Sequence, residues 1–403
     1  MMIPIDNHVA WFCEQWKCTS VTLPSFGTTY PAEDKKNREN FSNQFYGRFR
    51  ALQEELKREK AKIDTNSFMP MLSQFLTTVY DFPDNSSDMV LNQKFLNVSH
   101  QFYKEVLAYD ANLNQEEIYQ AMRNIWIMNG IQLMLDLPVE LTPSIFAYSL
   151  LYPYSDNLLD DPKLPKIEKL RFCERFEERL KGKQVMATDP REEKINHLVG
   201  MIENQFPRMD YTELYESLLA IHAAQTRSIV LQNKNNGLTQ EQIIEVCFAK
   251  GGASVLADGY LVAGKLTPLQ QRFLFGYGIW LQLADDIQDI AEDQAEEVNT
   301  LFSSARQKCE LAEAMNRTFH FGRTIISGLG CFPSAICDDF GRLMVHSIES
   351  MIIRSAGKNP GHFSETYLIQ MEEYSPLRFE YIREMRKKGN PSRMGLVSRM
   401  VQV

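Results

Sequence analysis

The chain has 403 residues, 44% of them hydrophobic and 24% charged, enough apolar material for a large buried core and unlike the composition of a disordered chain. Its 20 glycines and 17 prolines lie below collagen-like or low-complexity levels, and no repeat of fixed period is present. The excess of acidic side chains, a net charge of −9, repels polyanions and disfavours a general nucleic-acid binder, though not a local basic pocket.

Cys13, Cys18, Cys173, Cys247, Cys309, Cys331 and Cys337 are scattered and odd in number, which points to thiols in a reducing cytoplasm rather than a disulfide framework. The opening MMIPIDNHVAWFCEQWKC lacks the basic and apolar regions of a secretory signal. The most apolar stretch, 131–154, is interrupted by Asp136, Glu140 and three prolines, so no integral membrane segment is expected.

Residues 1 to about 35 show no sustained period and read as an irregular arm. From Asn37 to Ile63, Phe41, Phe45, Phe49, Leu52 and Leu56 recur every three or four positions among charges, the mark of an amphipathic helix. Helices are then expected at 67–80, 89–108 and 115–135, the last opened by Asn114 as N-cap with Glu116 and Glu117 in its first turn. Further helical stretches follow at 143–160, 166–181, 191–204, 211–233, 239–263, 268–292, 300–327, 333–356 and 364–387. Alternating runs bounded by turn signals are nearly absent, so the expected fold is all-α. The connections are short, which favours one large bundle over 61–390, preceded by an arm and amphipathic helix (1–60) and followed by a basic tail (391–403).

Two carboxylate clusters stand out. In YPYSDNLLDDP, a helix continued from Pro143 puts Asp156 and Asp160 one turn apart on one face, with Asp161 beside them. In WLQLADDIQDIAED, Asp285 and Asp289 share a face, with Asp286, Glu292 and Asp293 nearby. Either cluster alone reads equally as a solvated helix end. Both, however, sit at the polar end of a strongly apolar helix, where crowded carboxylates are costly without cations. Ligand sets of carboxylates alone select a hard cation, and Mg²⁺ so held leaves room for water and substrate phosphate oxygens.

The stretch from Phe248 to Asp293 resembles the second half of the trans-prenyl diphosphate synthases, where a Lys-Thr-Ala helix precedes a Phe-Gln-x-x-Asp-Asp-x-x-Asp helix; Lys250, Gln282, Asp285, Asp286 and Asp289 match those positions. DNLLDD is similar to the D-x-x-x-D-D form of squalene and phytoene synthases. The resemblance covers roughly residues 125–310 and implies the class I isoprenoid synthase fold, a helical bundle around an apolar central cavity. It further implies several Mg²⁺ ions held by Asp156, Asp160, Asp161, Asp285, Asp286 and Asp289, an allylic prenyl diphosphate as substrate, and a homodimer. Catalysis would rest on Asp156, Asp160, Asp285 and Lys250, with Lys250, Arg227, Gln282, Arg306 and Lys308 contacting substrate.

Other readings of the basic residues remain open: Lys250 as a solvent-facing lysine near the Gly251-Gly252 helix break, Arg227 as a packing or surface residue, Arg306 and Lys308 as surface charges. From Pro376 onward, seven Arg or Lys face two Glu, a solvated tail or a lid over a diphosphate. Phe146, Tyr148, Tyr152, Tyr154, Phe248, Tyr260, Tyr277 and Trp280 are core residues, of which a few would line the cavity. The Gly-Gly-Lys-x-x-Arg-Pro segment and Arg-Arg pair that hold a second diphosphate in chain-elongating enzymes are absent; only Arg171, Arg175 and Arg179 follow the first cluster. The leading expectation is therefore a terpene synthase acting on one prenyl diphosphate. The alternatives are a head-to-head or chain-elongating prenyltransferase, and a non-catalytic prenyl-diphosphate-binding protein.

Overall fold

The computed structural model describes residues 5–59, 65–83, 89, 92–161, 163–232 and 237–388, with the backbone alone described for residues 53, 56, 57, 59, 65–67, 152 and 160. Every regular element among the described residues is helical. In chain order the helices are α1 (Ile5–Cys18), α2 (Ala32–Glu59), α3 (Thr65–Tyr80), α4 (Gln93–Tyr109), α5 (Gln115–Met134), α6 (Pro143–Asp160), α7 (Lys166–Leu180) and α8 (Pro190–Gln205). They continue with α9 (Thr212–Ser228), α10 (Gln240–Ala263), α11 (Pro268–Gln288), α12 (Ile290–Ala295), α13 (Lys308–Ile326), α14 (Cys337–Lys358), α15 (Glu365–Glu373) and α16 (Phe379–Lys387). The chain forms two compact units interleaved along the sequence, one from residues 1–19, 101–304 and 321–337, the other from 20–100, 305–320 and 338–403. The expected boundary near residue 60 and the tail from 391 fall outside the described residues.

The first unit is organised around α10, which is buried on nearly every side from Val246 to Leu261 and packs against α1, α5, α6, α9 and α11. A helix apolar all round belongs in a core. It is also the one described helix long and apolar enough to cross a membrane, and 78% of that stretch is buried in the bundle.

Local chemistry sets its ends. Thr239 and Gln242 form a capping box at its start, and at its close Gly264, at φ 73°, donates its N–H to the Tyr260 carbonyl. Thr267 and Gln270 then form a second capping box, with Pro268 in the first turn of α11. So short a connection makes α10 and α11 antiparallel neighbours. They meet backbone to backbone: a Cβ on Gly278 would lie 2.1 Å from the Gly251 carbonyl oxygen, and a Cβ on Gly251 would lie 2.6 Å from the Gln282 Cβ. That contact brings Lys250 and Gln282 together at one level of the helix pair.

Helix α6 starts at Pro143 behind the Thr142 N-cap and packs against α5, α8 and α10. Ser144 Oγ donates to the Leu261 carbonyl of α10 at 2.8 Å. Pro153 lies within α6 and has no N–H to offer the Ser149 carbonyl.

The structure departs from the sequence reading at several ends. The expected irregular arm contains α1, whose Val9, Phe12 and Trp16 are buried along one helical stripe, Phe12 lying against Gly276 and Trp16 edge-on to Phe248. Apolar contacts with both α10 and α11 stabilise α1 where its own sequence carries little period. The helix expected at 268–292 breaks at Asp289, and that at 211–233 leaves α-geometry after Ser228. The stretch 364–387 divides into α15 and α16 around Ser375 and Pro376, because the proline supplies no amide hydrogen and disfavours helical geometry before it.

In the second unit, Phe45 and Phe49 of α2, Phe68 and Phe75 of α3, and Leu377 and Tyr381 at α16 belong to one aromatic-rich core. Glu39, 3% exposed, is held by the guanidinium of Arg378, whose Nε donates at 3.0 Å and Nη2 at 2.6 Å. The buried carboxylate thereby gains a bidentate partner.

Replacing Gly278 by alanine forces the α10–α11 pair apart where only backbone can yield, and is expected to destabilise the chain by about 1–3 kcal/mol. Gly330→Ala, whose Cβ would meet nothing within 4 Å, serves as the neutral control. Paired urea unfolding curves read the difference.

Candidate active site

The two acidic clusters lie within the first unit on α6 and α11, and Lys250 of α10 links them. Its ammonium forms an ion pair with Asp156 at 3.7 Å, and it also acts electrostatically on Asp286. The Asp156 carboxylate is 10% exposed and accepts a further hydrogen bond from Gln225 Nε2 of α9 at 3.3 Å. On α11, Gln282 Nε2 donates to Asp286 Oδ1 at 2.8 Å, one helical turn away. Arg123 of α5 reaches Asp285 with a 3.2 Å hydrogen bond. Gln225 and Arg123 carry no motif signature; each is visible only through the helix that brings it near.

The α11 end is crowded with negative charge. Burial, with Asp293 and Asp285 nearby, pushes the Asp286 carboxyl well above its ordinary range, and its Oδ2 is buried with no hydrogen-bond partner. Asp293 is pushed up to about 7 by burial and by Asp289, Asp285 and Glu292, against the hydrogen bond from Thr300. Desolvation and mutual repulsion both disfavour ionised carboxylates here. Asp289 is the C-cap of α11 and the joint with α12.

This donor set suits a hard divalent cation: it is all carboxylate, one buried oxygen is unpaired, and bound positive charge would relieve the repulsion. Among the described residues no three His, Cys, Asp or Glu side chains already surround a single point. The side chain of Asp160 lies outside the description, and Asp161 caps the end of α6, accepting from the Lys163 N–H at 2.8 Å.

The other basic residues singled out in the sequence lie elsewhere. Arg227 pairs with Glu245 at 3.6 Å, half exposed. Arg306 and Lys308 belong to the second unit, where the Arg306 N–H donates to Glu310 and Lys308 Nζ to the Phe363 carbonyl at 3.1 Å. All three arginines after the first cluster are engaged on α7, Arg171 with Glu168, Arg175 with Glu192 and Arg179 with Glu203.

Beside Asp156 a small recess lies among α6, α7 and α9, with about 20 Å³ of free space, room for little more than one water molecule. Its apolar wall comes from Tyr148, Leu151, Phe176, Leu180, Leu218 and Ile221, and Gln225 joins it to Asp156. Of the aromatic residues expected around a cavity, Tyr148 lines this recess, whereas Phe248, Tyr260 and Trp280 are wholly buried packing. The Tyr154 hydroxyl donates to Asp110 at 2.6 Å in a separate polar group with Lys194.

The chain matches no known protein-family profile and no curated protein sequence.

The raised Asp293 pKa sets a pH trend. Unfolded, this carboxyl ionises near 3.8; folded, it retains its proton to about 7, so the folded state binds the extra proton between those values. The stabilisation is complete below the unfolded value and lost as pH rises through 7. Between pH 5 and pH 8 the urea midpoint of the wild type should therefore fall further than that of Asp293→Asn.

Proposed function

We propose that the chain is a Mg²⁺-dependent class I terpene synthase that ionises one allylic prenyl diphosphate, releases pyrophosphate and converts the remaining carbocation to a terpene. The observation that carries this reading is the single lysine, Lys250, standing between Asp156 of α6 and Asp286 of α11. Two acidic helices that face a common cation are arranged to grip a polyanion together with metal, and neither helix could do so alone.

Asp156, Asp160 and Asp161 on one side and Asp285, Asp286 and Asp289 on the other would hold the metal. When bound, Mg²⁺ supplies positive charge that stabilises the departing diphosphate. Lys250 would contribute the fixed protein cation, released from Asp156 when diphosphate oxygens compete for it. Gln225 orients Asp156 and Gln282 orients Asp286, each by its amide hydrogen bond.

The engagement of Arg171, Arg175 and Arg179 in ion pairs favours a single diphosphate over condensation of two. Against the purely binding alternative stands the presence of every aspartate the chemistry requires.

The test is pyrophosphate release from geranyl, farnesyl and geranylgeranyl diphosphates, each alone, with and without Mg²⁺, with mass spectrometry of the organic extract. Mg²⁺-dependent turnover of one substrate to a hydrocarbon or alcohol is expected, falling about 10²–10³-fold in Asp156→Ala, Asp285→Ala and Lys250→Ala. Turnover only when two prenyl diphosphates are mixed would replace this reading with a condensing enzyme. Silence in every combination would leave the binding protein.

A further inference from the structure

Each acidic helix carries one aspartate that is already occupied by a cation from a different helix. On α6 it is Asp156, paired with Lys250 of α10 at 3.7 Å. On α11 it is Asp285, whose Oδ1 accepts from Arg123 Nη2 of α5 at 3.2 Å. Met122 and Ile125 of α5 are buried and fix its rotation, which leaves Arg123 on the exposed side with its guanidinium extended to α11. The two pairs differ in setting. Lys250 and Asp156 are mostly buried, whereas the side chains of Arg123 and Asp285 are 49% and 38% exposed. So open an ion pair contributes little to stability and yields readily to a competing charge. Asp285 is also one of the aspartates proposed above to hold metal, so an incoming ion competes with Arg123 for the same carboxylate.

Resting on the functional reading above, we infer that Arg123 makes metal binding at the α11 wall conditional on diphosphate. A divalent cation arriving alone at Asp285 meets the guanidinium already there and is repelled by it. A diphosphate arriving with the metal offers oxygens to the guanidinium, whose planar fork suits phosphate as well as carboxylate. Arg123 then passes from Asp285 to the diphosphate, and Asp285 is released to the metal. Only ion pairs and hydrogen bonds are exchanged in this step. Metal and diphosphate thereby strengthen each other's binding, by the same factor whichever arrives first. The device sits on α5, a helix that carries neither aspartate cluster, and it keeps the α11 carboxylates from holding a metal ion before substrate is present.

The experiment titrates the full chain with Mg²⁺ by calorimetry, alone and with inorganic pyrophosphate present, free Mg²⁺ being corrected for its pyrophosphate complex from protein-free titrations. The wild type is compared with Arg123→Gln, Arg123→Met and Arg171→Gln. The last removes one positive charge from α7, where Arg171 pairs with Glu168, and so controls for net charge. In the wild type, pyrophosphate should tighten Mg²⁺ binding at least about tenfold. Both Arg123 variants should bind Mg²⁺ alone at least about threefold more tightly than the wild type, and lose most of the gain from pyrophosphate. Arg171→Gln should behave as the wild type. If one Arg123 variant fails to fold, as judged by its circular dichroism melt, the other decides. Unchanged or weaker Mg²⁺ binding in the Arg123 variants overturns the role of Arg123 while leaving the synthase reading intact. So does equal tightening in Arg171→Gln, or a wild type that binds Mg²⁺ and pyrophosphate independently. A wild type that binds no Mg²⁺ even with pyrophosphate present removes both.

Discussion

One buried electrostatic arrangement governs this unit: carboxylates from two helices outnumber the cations around them, and Lys250 is shared between the two sets. A lysine on an otherwise apolar helix would ordinarily be expelled toward water. Here its side chain is 23% exposed, and the desolvation is offset by Asp156. The carboxylates at the end of α11 have no equivalent compensation, and Asp286 and Asp293 respond by retaining protons. Stability is thus given up locally for a concentration of negative charge, a pattern that marks functional sites more often than structural ones.

The scaffold that holds this charge is rigid on one side. Gly251 and Gly278 let α10 and α11 approach until their backbones touch, and the capped four-residue connection fixes the pairing. Gln282 lies against the same contact, which is why its amide reaches Asp286. The glycines after Lys250 therefore do not loosen the helix; they allow another helix to dock. Read from sequence alone, the same pair suggests a break, because the partner that exploits the missing side chains is out of view.

Much of the architecture was legible in the amino-acid order. Helical periodicity places α5, α6, α10 and α11 closely, and Asn114 fixes the start of α5 because a cap acts within a few residues of itself. Helix α1 was not legible, since its stability comes from Phe275, Phe248 and Gly276, more than two hundred residues away. The same limit applies to the site. Asp156, Lys250 and Asp286 were found as motif members, but Gln225 and Arg123 gain their roles only through tertiary approach, and Arg227 is drawn off by Glu245. The interleaving of two units was likewise not read from the sequence, because both are built from helices alone.

Pro153 gives α6 a different mechanical character from its neighbours. The missing N–H leaves the Ser149 carbonyl without its intrahelical donor, two turns before Asp156, and the Ser149 hydroxyl is itself buried without a partner. Helices α10 and α11, in contact through their backbones, have no slack to give. The two acidic ends thus rest on unequal supports: α11 is braced backbone to backbone by α10, whereas α6 lacks one hydrogen bond of its own ladder.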